Sequence, residues 1–260
     1  MLPDTRPLVA VTRDERADDA FSRALESKGA RVLPLATIRI IPPDDAAPLA
    51  AALQALPQYD WIVFTSAHAV DSTCGHPSWA PAWQAGTVRA RIAAVGAATA
   101  KRLGDRGIPV DVMPAVAGGP ELAQALSAVE PLERATVLWP RSEIARPELA
   151  VELAMDGATI VDPPAYRTVP VVPERLAEFL AALEARRVAA VAFLSPSSAR
   201  GLASALPGGT LRPLAGRTVV ASIGPTTSAA VAELGVAVDI EPAQRSAAAL
   251  ASAIVRRVAA

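Results

Sequence analysis

Short apolar runs alternate with helical stretches along the whole chain. In the first half the runs lie near 8–12, 30–34, 60–65, 91–95 and 110–113, and in the second half near 136–140, 158–161, 188–194, 218–223 and 237–240. The runs are continuously apolar, as expected for parallel strands that are covered on both faces. Glycines stand where helices are expected to end, at positions 29, 107, 157 and 235. The pattern therefore predicts an α/β protein with mainly parallel, flavodoxin-like sheets.

The second half of the chain repeats the first. A shift of 128 positions pairs Val9 with Val137, Arg13 with Arg141, Gly96 with Gly224, Thr99 with Thr227 and Asp111 with Asp239, and a shift of 129 pairs Ser66 with Ser195. Because the register holds over several separate segments, we infer that one α/β unit is used twice. We expect the working surface to lie in the cleft between two similar lobes.

Two proline-rich segments interrupt the alternation at corresponding places in the repeats, at 34–43 and 163–173. Proline fixes φ and removes a hydrogen-bond donor, so such segments favour extended connectors over helices or central strands. Each segment follows the second strand of its repeat. The chain could leave one lobe early, build the other whole and return, or it could form two consecutive domains.

Composition narrows the class of protein. The 260 residues suffice for two domains, 52% of them are hydrophobic, and the formal net charge is -1. Basic residues are not massed in one tract, which argues against nucleic-acid binding. No signal peptide or membrane-spanning apolar run is visible, and the single cysteine, Cys74, cannot form an internal disulfide. We therefore expect a cytoplasmic protein that binds neither nucleic acid nor a membrane.

Three kinds of polar position recur in both repeats at predicted strand ends. They are the serines Ser66, Ser195 and Ser197, the glycine–threonine turns formed by Gly96 and Thr99 and by Gly224, Thr226 and Thr227, and the arginines Arg13 and Arg141. A serine there caps a helix whose free N–H groups can also hold an anion, a glycine lets the backbone approach a ligand, and arginine binds carboxylates. Each position also has a structural interpretation, as a helix cap or a solvated charge. Recurrence at strand carboxyl ends, where open α/β sheets bind ligands, favours an anion site.

Several common catalytic sites do not fit the sequence. His68, Cys74 and His76 lie close together, but their spacing matches no ordinary zinc site and a fourth ligand is missing. The histidines offer no obvious base for a serine triad, and neither glycine turn carries a nucleotide-binding fingerprint. We therefore expect no metal and no nucleotide cofactor. Tyr166, inside the second proline-rich segment, either packs as an aromatic residue or donates a proton to a leaving group.

Taken in order, these motifs resemble the uroporphyrinogen-III synthase family of tetrapyrrole biosynthesis. The matching segments are 64–66, 95–99, 157–160 followed by 165–168, 193–197 and 223–227. They are spread over nearly the whole chain. His68 departs from the pattern, since the family usually has asparagine at that position.

The resemblance implies two flavodoxin-like domains that are joined by a two-stranded connector. It places residues 1–33 and 173–260 in a discontinuous domain and residues 43–163 in an inserted domain, with 34–42 and 164–172 as the connector strands. It also implies cofactor-free conversion of hydroxymethylbilane, a linear tetrapyrrole, into uroporphyrinogen III, with loss of water and inversion of ring D. We expect a monomer.

In this interpretation Tyr166 matches the family's tyrosine and assists departure of the hydroxyl group. The recurring serines, glycines and threonines hold the acetates and propionates of the substrate, and the two arginines supplement them. The unassisted bilane closes to the wrong isomer, so the enzyme must chiefly impose geometry. The alternative is a two-lobed protein that binds or senses a small anion or a tetrapyrrole without chemistry, which gives Tyr166 no task.

Overall fold

Parallel strands form the centre of both halves of the protein in the computed structural model, which describes residues 5–13 and 20–258. The strands are β1 (Leu8–Arg13), β2 (Arg31–Ala36), β3 (Ile38–Ile41), β4 (Trp61–Phe64), β5 (Arg91–Ala94), β6 (Thr136–Leu138), β7 (Arg141–Ser142), β8 (Thr159–Val161), β9 (Pro164–Pro170), β10 (Val188–Phe193) and β11 (Val219–Ser222). The helices are α1 (Ala20–Glu26), α2 (Ala47–Gln54), α3 (Ala67–Cys74), α4 (Trp79–Gln84), α5 (Ala97–Gly104), α6 (Gly119–Ser127), α7 (Glu148–Met155), α8 (Leu176–Glu184), α9 (Pro196–Ala205), α10 (Pro225–Glu233) and α11 (Ala247–Val258).

Two four-stranded sheets are built by exchange between the repeats. One has the order β2-β1-β10-β11 and the other the order β8-β6-β4-β5, and the strand pairs within both are parallel. The first two strands of each repeat thus pair with the later strands of the other repeat. This is the flavodoxin-like order, in which the first strand lies between the second and the third. The predicted fold class is confirmed.

The chain forms two compact units that follow this exchange. The discontinuous unit is Met1–Arg39 with Thr168–Ala260, and the inserted unit is Ile40–Arg167. The chain passes from one unit to the other inside β3 and again inside β9, and these two strands share a small sheet of order β3-β9-β7. Pro34, which begins a predicted connector, instead lies in β2, where it is aligned with Val11 of β1. Proline is tolerated there because β2 is an edge strand.

The prediction of strands at 110–113 and 237–240 is wrong. Each is reduced to a single parallel bridge, one to β5 and one to β11. The carboxylates of Asp111 and Asp239 each accept a hydrogen bond, of 2.7 and 2.8 Å, from a main-chain N–H of that neighbouring strand. A side-chain oxygen therefore replaces the carbonyl that would continue the ladder. The replacement is the same in both repeats.

Apolar side chains cover both faces of each four-stranded sheet. In β1 of the discontinuous unit, Val9 and Val11 pack into one apolar cluster and Ala10 into another, and all three are 0% exposed. In β4 of the inserted unit, Trp61 and Val63 face one cluster while Ile62 and Phe64 face the other, and all four are 0% exposed. Burial on two sides explains why the sequence runs are continuously apolar.

The predicted helix-ending glycines all have positive φ, at positions 29, 107, 157 and 235. This conformation carries no steric penalty for glycine and confirms those helix ends. Along the two described ranges, no helix combines the length and the apolarity that a membrane crossing demands.

Candidate active site

In the inserted unit, one sheet edge collects the predicted site residues. Ser66 follows β4, Gly96 follows β5, and Arg141 lies just beyond β6. Because β4 lies between β5 and β6 and all three strands are parallel, these positions meet at the carboxyl ends of neighbouring strands. Such an edge is where open α/β sheets bind ligands.

The discontinuous unit repeats this arrangement. Arg13 ends β1, Ser195 follows β10 and Gly224 follows β11. These strands are neighbours in the order β11-β10-β1, so the three positions again share one edge. Ser197 lies half-buried in the first turn of α9, and Thr226 lies exposed in the first turn of α10.

Tyr166 meets Ser66 inside the inserted unit. The two hydroxyl oxygens lie 3.0 Å apart in a hydrogen bond, although the residues are 100 positions apart in the chain. Ser66 is also the N-cap of α3, where its hydroxyl accepts a hydrogen bond from the Ala69 N–H at 3.0 Å. The ring of His68 packs edge-on against Tyr166, with a centroid distance of 5.8 Å. The structure thus places the predicted proton donor against a predicted helix cap.

A cavity of ≈ 260 Å³ opens beside this hydrogen bond. It is lined by Thr65, Ser66, Gly119, Trp139, Ser142, Ala145, Arg146, Glu148, Leu149 and Tyr166. The lining mixes hydroxyl groups and charges with the apolar faces of Trp139 and Leu149. A cavity of this kind suits a ligand that has both ring and polar atoms.

Burial controls the ionisation of Tyr166, which is 7% exposed. Burial raises the pKa of the phenol above its ordinary 10.0, while hydrogen bonds with the hydroxyls of Ser66 and Ser142 act in the opposite direction and lower it. Burial acts by disfavouring the charged phenolate, and it is the larger of the two effects. The phenol therefore keeps its proton at neutral pH.

Arg141 is engaged within its own unit. Its Nε donates to Asp162 at 2.6 Å, and its Nη1 donates to the carbonyls of Ser142 and Glu143 at 3.1 and 3.2 Å. These bonds use three of the five N–H donors of the guanidinium. The contacts support the chain around β7.

The two glycine–threonine turns begin helices as predicted. Gly96 and Gly224 are the N-caps of α5 and α10. Thr99 and Thr227 lie in the first helical turns but are only 4% and 3% exposed. Little of either side chain reaches solvent, so the N–H groups of the first helical turns are the alternative hydrogen-bond donors here.

The equivalent of Tyr166 in the discontinuous unit is closed into the core. A shift of 129 places Thr37 on Tyr166, and Thr37 is 0% exposed with its hydroxyl donating to the Ser198 carbonyl at 3.0 Å. Ser198 in turn forms a reciprocal capping box with Ser195, and its hydroxyl receives a hydrogen bond from Thr12 at 3.1 Å. One copy of the strand-end motif therefore carries a phenol beside a cavity, and the other carries a buried hydroxyl network.

Sequence reasoning did not assign Ser142 and Arg245 to the site. Ser142 pairs with Tyr166 across strands β7 and β9 and lines the same cavity. The side chain of Arg245 lies over Gly224, where an added Cβ would come within 3.5 Å of it. The repeat could have pointed to Arg245. The shift of 128 makes it equivalent to Ala117, and the Cβ of Ala117 lies over Gly96 as the Arg245 side chain lies over Gly224.

His68, Cys74 and His76 do not form a metal-binding group among the described residues. Over residues 5–13 and 20–258, no set of three or more His, Cys, Asp or Glu side chains is placed to hold a metal ion. Burial raises the pKa of the Cys74 thiol to about 12. A thiol in that state is a poor nucleophile, because the thiolate is the reactive form.

Comparison with known proteins points to one family. The family model described as uroporphyrinogen-III synthase HemD matches residues 19–252. A uroporphyrinogen-III synthase from Synechococcus elongatus is 30% identical over 249 residues, which cover 90% of this chain and 88% of that protein. One from Chlorobaculum parvum is 27% identical over 241 residues, covering 90% and 92%.

Solved structures show the same fold. A mutant uroporphyrinogen III synthase from Thermus thermophilus superposes with a TM-score of 0.63 at 20% identity, covering 97% of this chain and 99% of that one. The enzyme from Helicobacter pylori 26695 gives 0.57 at 18% identity, covering 93% and 94%. With the extent of the family match, these comparisons establish that the chain belongs to the uroporphyrinogen-III synthase family.

Proposed function

We propose that this protein converts hydroxymethylbilane into uroporphyrinogen III, closing the linear tetrapyrrole with loss of water and inversion of ring D. The observation that carries the proposal is the buried Tyr166 phenol, which is hydrogen-bonded to Ser66 beside a cavity at the carboxyl edge of the sheet. Membership of the family supplies the reaction class.

Tyr166 has the chemistry that loss of water requires. When the C–O bond of the hydroxymethyl group breaks, the electron pair leaves with oxygen, and a proton from the phenol completes the water molecule. Water has a pKa of about 15.7, so even a phenol with a raised pKa is the stronger acid of the two. The substrate cation that remains then closes the ring, and the proton lost at closure restores the phenol.

The remaining site residues are proposed to hold carboxylates. In the inserted unit these are the helix start at Ser66, through the backbone N–H groups beside its hydroxyl, and the turn of Gly96 and Thr99. In the discontinuous unit they are Ser195, Ser197 and the turn of Gly224, Thr226 and Thr227. Arg13 and Arg141 are proposed to assist them. Hydrogen bonds to a charged group contribute about 1.5–3 kcal/mol each, so a few of them fix the orientation of a ring. We also propose a monomer, which light scattering after size exclusion would test.

The test is the identity of the product. Hydroxymethylbilane is incubated with the protein or with the heat-inactivated protein, the products are oxidised to porphyrins, and the type I and type III isomers are separated. We expect a clear excess of type III with the active protein and type I in the control. Type I alone in both incubations would overturn the proposal and favour a protein that only binds.

A further inference from the structure

Ser142 is fixed opposite Tyr166 by the backbone. In the pairing of β7 with β9, Ser142 is aligned with Tyr166, and the N–H of the next residue, Glu143, donates to the Tyr166 carbonyl at 3.0 Å. The side chains of Ser142 and Tyr166 line the same cavity, so their hydroxyl groups are neighbours there. The phenol group therefore has two serine neighbours, Ser142 on β7 and its hydrogen-bonded partner Ser66 at the start of α3.

The short strand that carries Ser142 is held in place by Arg141. Strand β7 has only two residues, so its pairing alone gives little rigidity. The Arg141 guanidinium bonds to Asp162, which follows β8, and to the carbonyls of Ser142 and Glu143. The charge-assisted contact with Asp162 ties the segment to the end of β8.

The single proton of each hydroxyl group limits how the two serines can bond to the phenol. A phenol has a single proton, and it can be given to substrate only if it is not given to a serine. The Ser66 hydroxyl accepts the Ala69 N–H and can also donate its own proton, and in its 3.0 Å bond with Tyr166 either oxygen can be the donor. If both serine hydroxyls donate to the phenol oxygen, the phenol proton is directed into the cavity, and the phenolate that forms keeps two hydrogen bonds.

We propose that Ser142 is a positioning residue for this step: it donates its proton to the Tyr166 oxygen and so directs the phenol O–H toward the leaving hydroxyl group. The inference rests on the proposed function. It assigns to Ser142 a role exercised only through Tyr166, with no contact to the reacting atoms. It also gives Arg141 a task in holding β7 that differs from carboxylate binding.

The experiment compares Ser142→Ala with Ser142→Thr, which keeps the hydroxyl group, and with Ser204→Ala. Ser204 is a matched control, since it donates one hydrogen bond to the Gly201 carbonyl in the other unit. We expect Ser142→Ala to lower kcat about tenfold, the factor for one hydrogen bond to a developing charge, with KM changed less than about threefold. Threonine should restore kcat, and Ser204→Ala should behave as the unmodified protein.

Two further readouts separate positioning from a structural role. In a Tyr166→Phe background, Ser142→Ala should cause no further loss, because the two residues act as one unit. The ¹³Cζ NMR signal of Tyr166, assigned because Tyr166→Phe removes one of the chain's two tyrosine signals, should move in Ser142→Ala and return in Ser142→Thr. Ser142→Gly provides a second truncation if the alanine variant unfolds.

An unchanged kcat, or an equal loss in the Tyr166→Phe background, would overturn the proposal. An unmoved Tyr166 signal in Ser142→Ala would do so whatever the activity. If the unmodified protein makes no uroporphyrinogen III, the proposed function fails, and the Tyr166 signal alone then decides whether Ser142 holds the phenol.

Discussion

At the scale of single residues, the behaviour of Tyr166 depends on two opposing effects. Burial raises the pKa of its phenol, and hydrogen bonds with two serines lower it. Because burial is stronger, the pKa stays above 10.0 and the phenol keeps the proton that it donates.

Burial of Cys74 predicts slow alkylation. Its pKa is raised from 9.0 to about 12 by burial, so at pH 8 the thiolate is far rarer in the folded protein than in the unfolded chain. We expect iodoacetamide to modify the native protein at pH 8 roughly a hundredfold or more slowly than the protein in denaturant, as followed by mass spectrometry. Because the folded pKa is raised, the associated stability is present below pH 9.0 and is lost as the pH rises toward 12.

Cys74 is the single cysteine of the chain, so each modified molecule carries one added group. Equal alkylation rates in the native and denatured protein would contradict this account. They would mean that the thiol reaches solvent in the folded state.

Residue-level prediction worked where the local pattern carries the information. Ser66 was predicted as a helix cap because it follows an apolar strand, and the structure confirms the cap. The contact between Ser66 and Tyr166 could not be predicted, because it joins residues 100 positions apart. The direction of the Arg141 side chain could not be predicted either, since it depends on Asp162 at the end of another strand.

At the scale of elements, helix α9 packs closely against the connector. Gly201, inside this helix, lies so near the backbone of Thr37 that an added Cβ would be 2.2 Å from its carbonyl oxygen. That oxygen also accepts a hydrogen bond from the Val171 N–H at 3.0 Å, so it belongs to the paired connector segments. The glycine is required by close approach of two backbones.

Gly201→Ala is therefore expected to destabilise the protein by about 2 kcal/mol or more, because backbone must move to admit the methyl group. Gly104→Ala is the matched control, since Gly104 ends helix α5. Apart from its chain neighbours and the backbone of its own helix, no atom of the described residues lies within 4 Å of the place that a Cβ would take. Alanine there should be neutral or stabilise by up to about 1 kcal/mol. Urea unfolding of both variants checks the prediction, and equal stability of the two would contradict it.

Element prediction succeeded for strands buried on two faces, because their sequences are uniformly apolar. It failed at 110–113 and 237–240, where the runs are apolar enough to resemble strands. There Asp111 and Asp239 use a side-chain oxygen in place of the main chain, and the ladder ends after one bridge. Apolar patterns report burial and carry no information on which oxygen completes a hydrogen bond.

At the scale of the whole molecule, the duplicated sequence does not fold as two consecutive copies. The first two strands of each repeat enter the sheet of the other, so the discontinuous unit needs both ends of the chain. The repeat pattern alone left this exchange open, because either arrangement buries the same apolar runs, whereas the family resemblance implied a discontinuous domain. The strand pairing decides between them.

This exchange predicts different behaviour for two fragments. Residues 40–167 contain a complete four-stranded sheet and both of its apolar clusters, so this fragment should fold alone and unfold cooperatively. Residues 168–260 lack β1, which lies between β10 and β2, and should remain unfolded. Circular dichroism with urea titration measures both, and an unfolded 40–167 or a folded 168–260 would contradict the prediction.

The most direct test of the central claim is the rate at which Tyr166→Phe forms uroporphyrinogen III from hydroxymethylbilane. Phenylalanine keeps the ring and removes only the hydroxyl group. We expect turnover to fall by roughly a hundredfold or more, as for loss of a general acid, while product affinity changes little. Turnover equal to that of the unmodified protein would contradict the claim that the buried phenol drives the loss of water.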